Sequence, residues 1–115
     1  MTWTAQTSNF ADLSIDDRAP LLPPFLREIL YRAETYLKPR KVWLYGSRAR
    51  GDARENSDFD LAFEISDDTN WSRFVTEVSD DPPSLHKFDL VNYEQTDASL
   101  REAIHKEGLV IYERR

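Results

Sequence analysis

Apolar residues recur along the chain with two different periods, and each period predicts a type of element. Over residues 25–38 they are three or four positions apart, as on one face of an amphipathic helix, and Pro39 ends the run. A second helical stripe begins after Asn70, a residue type that caps helices, and a third spans 98–107 before Gly108. We expect these stripes to face the protein's own core, because that is the usual role of such a stripe.

Short runs rich in β-branched and aromatic residues predict four strands. They lie at 42–45, 61–65, 87–93 and 109–112, and Pro or Gly marks several of the joints between elements. Strands that alternate with helices in this way predict an α/β domain.

The first 20 residues show no sustained period. We expect an N-terminal arm over residues 1–20 whose apolar side chains cover part of the domain, and the alternative is a segment that docks a partner. With 115 residues in total, the chain has room for one domain, which we assign to 21–115.

The charge balance narrows the possible functions. The chain has 21 acidic and 15 basic residues, a net charge of −6 and a pI near 4.9, which argues against direct binding to a nucleic-acid backbone. It contains no cysteine, no apolar run of membrane-spanning length and no signal-like N-terminus. We therefore expect a cytoplasmic protein that does not enter a membrane.

Gly46 and Ser47 follow the strand predicted at 42–45 and mark a corner between strand and turn. Gly46 allows the backbone to bend and a ligand to come close, and Ser47 contributes a hydroxyl and a backbone N–H. Arg48 and Arg50 add forked donors that are always charged. Together these groups suit a triphosphate.

Ten residues separate Ser47 from Asp58, and Asp58 and Asp60 then open the next strand. Because strand side chains alternate, the two carboxylates point to one face and Phe59 points to the other. Their α-carbons are expected about 6.6 Å apart, so both carboxylates can reach one metal ion or bridge two. Oxygen ligands beside a phosphate favour Mg²⁺ or Mn²⁺.

Asp89 is a single carboxylate within the apolar run 87–93. Alternation places it on the face opposite Phe88 and Leu90. It would join Asp58 and Asp60 if the two strands were neighbours, and the sequence alone leaves that open.

Each of these residues also has an ordinary explanation. Gly46 and Ser47 could form a simple turn, and Asp58 and Asp60 could be the polar start of a strand. The spacing, the shared face and the third acid together favour a nucleotide site.

The pattern resembles the nucleotidyltransferase superfamily related to polymerase β, in which a Gly-Ser, a ten-residue spacer, an Asp-x-Asp and a later Asp form the site. The matching residues here are Gly46, Ser47, Asp58, Asp60 and Asp89. The run Gly-Ser-Arg-Ala-Arg-Gly at 46–51 is similar to the minimal nucleotidyltransferase (MNT) branch, many of whose members are antitoxins of HEPN ribonuclease toxins in prokaryotes. The resemblance covers residues 42–112 and implies a polymerase β-like nucleotidyltransferase fold, with a mixed β-sheet flanked by helices.

The resemblance also implies a reaction, in which AMP is transferred from ATP to a hydroxyl and pyrophosphate is released. Asp58 and Asp60 would hold the metal on the triphosphate, and Asp89 would complete a second metal site at the acceptor oxygen. Gly46, Ser47 and Arg48 would bind the nucleotide. Without metal, three close carboxylates would repel one another.

The chain is too short for a separate acceptor domain, so we expect the acceptor hydroxyl to come from another protein. The resemblance implies a HEPN-type ribonuclease toxin, modified on a hydroxyl such as that of a tyrosine, in a hetero-oligomer. Two alternatives stay open: an antitoxin that neutralises the toxin by binding alone, and a nucleotidyltransferase that acts on a small molecule.

Overall fold

The computed structural model describes residues 13–14 and 22–114, which form one sheet with helices on both faces. The strands are β1 (Leu13–Ser14), β2 (Lys41–Tyr45), β3 (Phe59–Glu64), β4 (Phe88–Asn92) and β5 (Leu109–Arg114). The helices are α1 (Pro24–Tyr36), α2 (Ser47–Arg50), α3 (Trp71–Asp80) and α4 (Ala98–Glu107), and a 3₁₀ turn, Tyr93–Gln95, follows β4. The predicted α/β class is confirmed.

The strand order β1-β5-β2-β3-β4 decides which residues meet. Within the described ranges β3 and β4 pair in parallel and every other pair is antiparallel, so the predicted mixed sheet is also confirmed. The adjacency of β3 and β4, which the sequence had left open, brings the strand of Asp89 beside the strand of Asp60.

The first helix begins and ends slightly earlier than its apolar pattern predicts. It runs from Pro24 to Tyr36 rather than to Lys38. Proline suits the first position of a helix, because the N–H that it lacks would have no partner within the helix there. Lys38 has a positive φ of 48°, which ends the helical path before Pro39. The inward residues are buried against the sheet, as expected; they are Leu26, Ile29, Leu30 and Ala33.

The two faces of the sheet carry separate apolar clusters. Leu61 and Phe63 of β3 belong to the larger cluster, which α1 and α3 cover. Ala62, between them, belongs to the smaller cluster with Trp43, Tyr45 and Ile104 of α4. This alternation confirms that Asp60 shares the face of Ala62 and that α4 covers that face.

Several elements differ from the four strands and three helices that the patterns predict. β1, the single turn α2 and the 3₁₀ turn are additional, because elements this short carry no periodic signal. Asn70 does occupy the N-cap of α3, but its side chain makes no capping hydrogen bond.

Helix α4 is capped at both ends by residues of the expected types. Asp97 caps its start, with Oδ1 accepting from the Leu100 N–H at 2.8 Å. Gly108 stops the helix as predicted, and a Cβ there would overlap the Ile104 carbonyl and lie 3.1 Å from the Trp43 ring. The close approach of α4 to the sheet therefore requires glycine at 108.

The predicted arm over residues 1–20 lies outside the described residues apart from β1, which pairs with the end of β5. The domain boundary at residue 20 thus stays a prediction. No helix within 22–114 is both long and apolar enough to cross a membrane.

Candidate nucleotide and metal site

The corner between β2 and α2 is a sharp turn made by Gly46. Its φ of 73° and ψ of −156° lie in a region that is essentially restricted to glycine. The Gly46 carbonyl accepts hydrogen bonds from the N–H groups of Ala49 and Arg50, which closes one helical turn directly after the strand. Ser47 is the first residue of that turn, so it directly follows the end of β2, where the sequence predicted a phosphate site.

Gly46 is also required because of Asp60. A Cβ placed on Gly46 would overlap the Oδ2 atom of Asp60, so the carboxylate rests in space that any other residue would fill. The missing side chain therefore allows a carboxylate to lie directly against the corner of Gly46 and Ser47.

Three neighbouring strands present polar groups in one row across the sheet. Tyr45 pairs with Asp60 across the antiparallel strands, and Asp60 pairs with Asp89 across the parallel strands. Paired residues point to the same face, and neighbouring strands are about 4.8 Å apart. Asp58 lies just before β3, close enough for its charge to act on Asp60.

The electrostatics of Asp60 reflect this crowding. Burial, followed by the charges of Asp89 and Asp58, raises the pKa of the Asp60 carboxyl above its ordinary value, and Arg50 offsets the effect in part. A carboxylate with a raised pKa is costly to ionise, and a nearby cation would relieve that cost.

The donor set fits a divalent metal, although it is not arranged as a finished metal site. Within residues 22–114, no three His, Cys, Asp or Glu side chains are gathered closely enough to hold an ion. The chemistry nevertheless fits Mg²⁺ or Mn²⁺, since Asp58, Asp60 and Asp89 supply carboxylate oxygens beside a phosphate corner. Asp58 and Asp89 are exposed and able to turn toward an ion, while Asp60 is held against Gly46.

Tyr45 belongs to the site, although its sequence context predicted only a buried strand residue. Burial and the charges of Asp89 and Asp60 raise the pKa of its phenol to about 12, so the hydroxyl stays protonated at neutral pH. It can donate a hydrogen bond but cannot act as a base. The preceding strand pattern does put Tyr45 and Leu44 on opposite faces, but only the register with β3 places Tyr45 beside Asp60.

Arg48, predicted to bind phosphate, is engaged elsewhere. One guanidinium nitrogen donates to the carbonyls of Glu55 and Ser57, at 3.0 and 2.8 Å. The guanidinium also stacks over the ring of Phe59 at 4.3 Å, on the face away from Asp60. Its role toward a nucleotide stays a prediction.

Arg50, two positions further along, turns to the carboxylate face. It forms ion pairs with Asp52 at 3.3 Å and with Glu107, at the end of α4, at 3.2 Å. Both pairs are solvent-exposed, and such pairs contribute little to stability.

Two cavities of similar volume lie on the surface of the described residues. One, of about 410 Å³, is lined mainly by α1 and α3 residues such as Tyr36 and Arg73, and none of the three candidate aspartates lines it. The other, of about 440 Å³, lies between residues 86–90, which include the start of β4, and helix α3. The lining of the second cavity includes Asp89, but most of it lies on the side of β4 that α3 covers, whereas the carboxylates of Asp60 and Asp89 share the α4 face.

A family model described as polymerase beta nucleotidyltransferase matches residues 27–115 of the chain. The chain belongs to the polymerase beta nucleotidyltransferase family. The matched region includes the corner and all three aspartates, and the predicted family resemblance is confirmed. Comparison with curated proteins finds no match.

Solved structures support the nucleotidyltransferase fold. One described as a toxin–antitoxin with AMP-PNP has a TM-score of 0.60 and 20% sequence identity, and the alignment covers 77% of this chain and 73% of that one. A mutant of the toxin–antitoxin MntA-HpeT, with two aspartates replaced by glutamate, has a TM-score of 0.59, 19% identity and coverage of 77% and 73%. A tyrosine-to-alanine mutant of MntA-HpeT has a TM-score of 0.60, 19% identity and coverage of 78% and 73%.

Proposed function

We propose that this nucleotidyltransferase transfers AMP from ATP to a hydroxyl, such as that of a tyrosine, on a HEPN-type ribonuclease toxin and thereby acts as its antitoxin. The observation that supports this most directly is the pairing of Asp60 with Asp89 beside the Gly46 corner. Paired carboxylates next to a phosphate-binding turn are what a metal-assisted transfer to a hydroxyl requires. We expect the protein to act in the cytoplasm, where ATP and RNA are both present.

The candidate residues would have different roles toward the triphosphate and the acceptor. Asp58 and Asp60 would hold a divalent ion on the triphosphate, and Asp89 would help to hold a second ion near the acceptor. Bound ions supply positive charge that neutralises the α-phosphoryl group and the leaving pyrophosphate. The Ser47 hydroxyl would donate a hydrogen bond to a phosphate oxygen of the triphosphate.

Transfer forms a bond between the acceptor oxygen and the α-phosphorus and breaks the bond from that phosphorus to the bridging oxygen. The hydroxyl proton passes to the Asp89 carboxylate, which is exposed and can accept it. Tyr45 stays protonated because the pKa of its phenol is about 12, so it would orient oxygen ligands and leave the proton transfer to Asp89.

The partner assignment is supported by the similar complexes and by charge. The similar folds are described as toxin–antitoxin structures, one of them with AMP-PNP. With a net charge of −6, this chain suits a basic, RNA-binding protein partner better than RNA itself. An attached AMP adds negative charge and bulk, which would compete with RNA phosphate at a ribonuclease site.

A second candidate is an antitoxin that neutralises the toxin by binding without transfer. It is favoured by one observation: within residues 22–114 the carboxylates do not form a preassembled metal cluster. In that case the toxin would stay active whenever the two proteins dissociate.

Intact-mass analysis of the toxin separates these candidates. The toxin would be incubated with ATP, Mg²⁺ and either wild type or Asp60→Asn, then repurified and assayed for ribonuclease activity. A mass gain of one or more AMP units and lost activity, with wild type alone, supports transfer. An unchanged mass and equal neutralisation by Asp60→Asn would support the binding antitoxin instead.

A further inference from the structure

The two arginines of α2 point to opposite faces of the sheet. Arg48 stacks on Phe59, whose ring packs against Phe25 of α1 with centroids 5.1 Å apart. Arg50 reaches Glu107 at the end of α4, which covers the other face. Since the carboxylates of Asp60 and Asp89 share the α4 face, Arg50 is the arginine on their side.

Arg48 closes the ten-residue spacer that carries Asp58. Its two hydrogen bonds to the carbonyls of Glu55 and Ser57 tie the end of this loop to α2. The loop is also closed on itself, because Arg54 and Ser57 exchange bonds of 2.8 and 3.0 Å. Asp58 directly follows Ser57, so the position of its carboxylate depends on this attachment.

Arg48 is poorly placed to leave the loop for a phosphate. Departure would strip a charged donor from two carbonyls and remove its stacking contact. Its Nε atom is buried and has no hydrogen-bond partner among the described residues, so a ligand has no path to it either. Arg50, by contrast, is itself exposed and is held by ion pairs with the exposed Asp52 and the half-buried Glu107, so it can turn to a ligand.

We propose that Arg48 is a positioning residue that fixes the loop of Asp58, and that Arg50 supplies the charge that binds the triphosphate. This rests on the proposed nucleotide site and revises the assignment of Arg48 as the phosphate-binding arginine. The division of labour follows from helical geometry, because side chains two positions apart on a helix diverge by roughly 200°.

The first test needs no nucleotide. Amide hydrogen exchange of the metal-free protein would be followed at Arg54 and Ser57 in Arg48→Gln, Arg50→Gln and Arg54→Gln, which all remove one positive charge. Exchange should accelerate about tenfold or more in Arg48→Gln, since a charge-assisted hydrogen bond is lost, and should stay within about twofold in Arg50→Gln. Unchanged exchange in Arg48→Gln would overturn the positioning role.

Arg54→Gln serves as the charge control because Arg54 is exposed in the same loop and its own backbone makes the loop bonds. Arg48→Lys provides a second variant that keeps the charge but cannot present the same fork to both carbonyls. It should accelerate exchange almost as much as Arg48→Gln. If Arg48→Lys exchanged as slowly as wild type, the guanidinium hydrogen bonds to the two carbonyls would not be what holds the loop.

The second test measures ATP affinity by titration calorimetry at saturating Mg²⁺. Arg50→Gln should weaken binding about tenfold or more, as expected for loss of a charged phosphate contact, whereas Arg48→Gln should stay within about twofold and instead require more Mg²⁺. Equal weakening by both variants, or none by Arg50→Gln, would overturn the assignment. If wild type bound no ATP, the proposed function and the Arg50 role would both fail, while hydrogen exchange would still decide the role of Arg48.

Discussion

Asp60 and Asp89 are directly paired across the parallel strands β3 and β4, and both side chains face α4. A parallel pair brings together strand starts that lie far apart in the sequence, here the second residue of each strand. The Asp60 oxygen that touches the Cβ position of Gly46 connects this pair to the phosphate corner. The residues proposed to bind nucleotide and metal therefore lie next to one another.

Metal and nucleotide should stabilise the protein together. Adding ATP with Mg²⁺ should raise the melting temperature, because a ligand at 100 times its dissociation constant contributes about 2.7 kcal/mol. The double variant Asp58→Ala/Asp60→Ala should lose this gain, as measured by differential scanning calorimetry. A gain of the same size in the double variant would mean that the aspartates do not form the binding site.

The two glycines with positive φ offer a matched comparison. Gly46→Ala and Gly51→Ala should both destabilise the protein by about 1–3 kcal/mol, because both glycines have a positive φ, 73° and 87°, which other residues rarely adopt. Only Gly46→Ala should also lose Mg²⁺-dependent ATP binding, since its Cβ displaces the Asp60 carboxylate, whereas a Cβ at Gly51 meets no atom within 4 Å. Urea unfolding and ATP titration measure the two effects, and equal binding losses would rule out the role of the Gly46–Asp60 contact.

The Ser47 hydroxyl should matter for phosphate and little for the fold. Ser47→Ala should weaken ATP binding about 10- to 100-fold, as for loss of a hydrogen bond to a charged group. Ser72→Ala is the control, because Ser72 is exposed on α3 and lines the remote cavity. If both variants bound ATP like wild type, Ser47 would not be a phosphate ligand.

Stability should depend on pH through Asp60. The pKa of Asp60 is raised in the folded protein, so the native state holds this proton more tightly than the unfolded chain does. Ionised Asp60 therefore lowers the free energy of unfolding, and this loss appears as the pH rises past the ordinary pKa of about 3.9. Asp60→Asn should therefore increase the free energy of unfolding in EDTA at pH 7, and the gain should shrink as pH falls toward 4.

Denaturant unfolding of wild type and Asp60→Asn at several pH values in EDTA measures this difference. The variant Asp67→Asn is an instructive control, because hydrogen bonds from Thr69 lower the pKa of Asp67 and the sign of its effect should be opposite. A pH-independent difference between wild type and Asp60→Asn would show that burial and the neighbouring acids do not act on this carboxyl as described.

Local sequence patterns were sufficient to locate the helices and strands. Periods of 3.6 and 2 located three helices and four strands to within about two residues, because these periods reflect which side of each element is buried. The same alternation correctly separated Phe59, Leu61 and Phe63 from Ala62 before any register was known. Gly108 as the end of α4 followed from glycine's common place after helices.

Which of these elements become neighbours could be read only from the folded protein. Strand order and register brought Asp89 and Tyr45 beside Asp60, because hydrogen bonding between distant strands leaves no trace in local periodicity. The opposite directions of Arg48 and Arg50 were likewise invisible, since both are cations in one short turn. Phe59 lies beneath Arg48 and Glu107 lies beside Arg50, and these contacts between sequence-distant residues give the two arginines different environments.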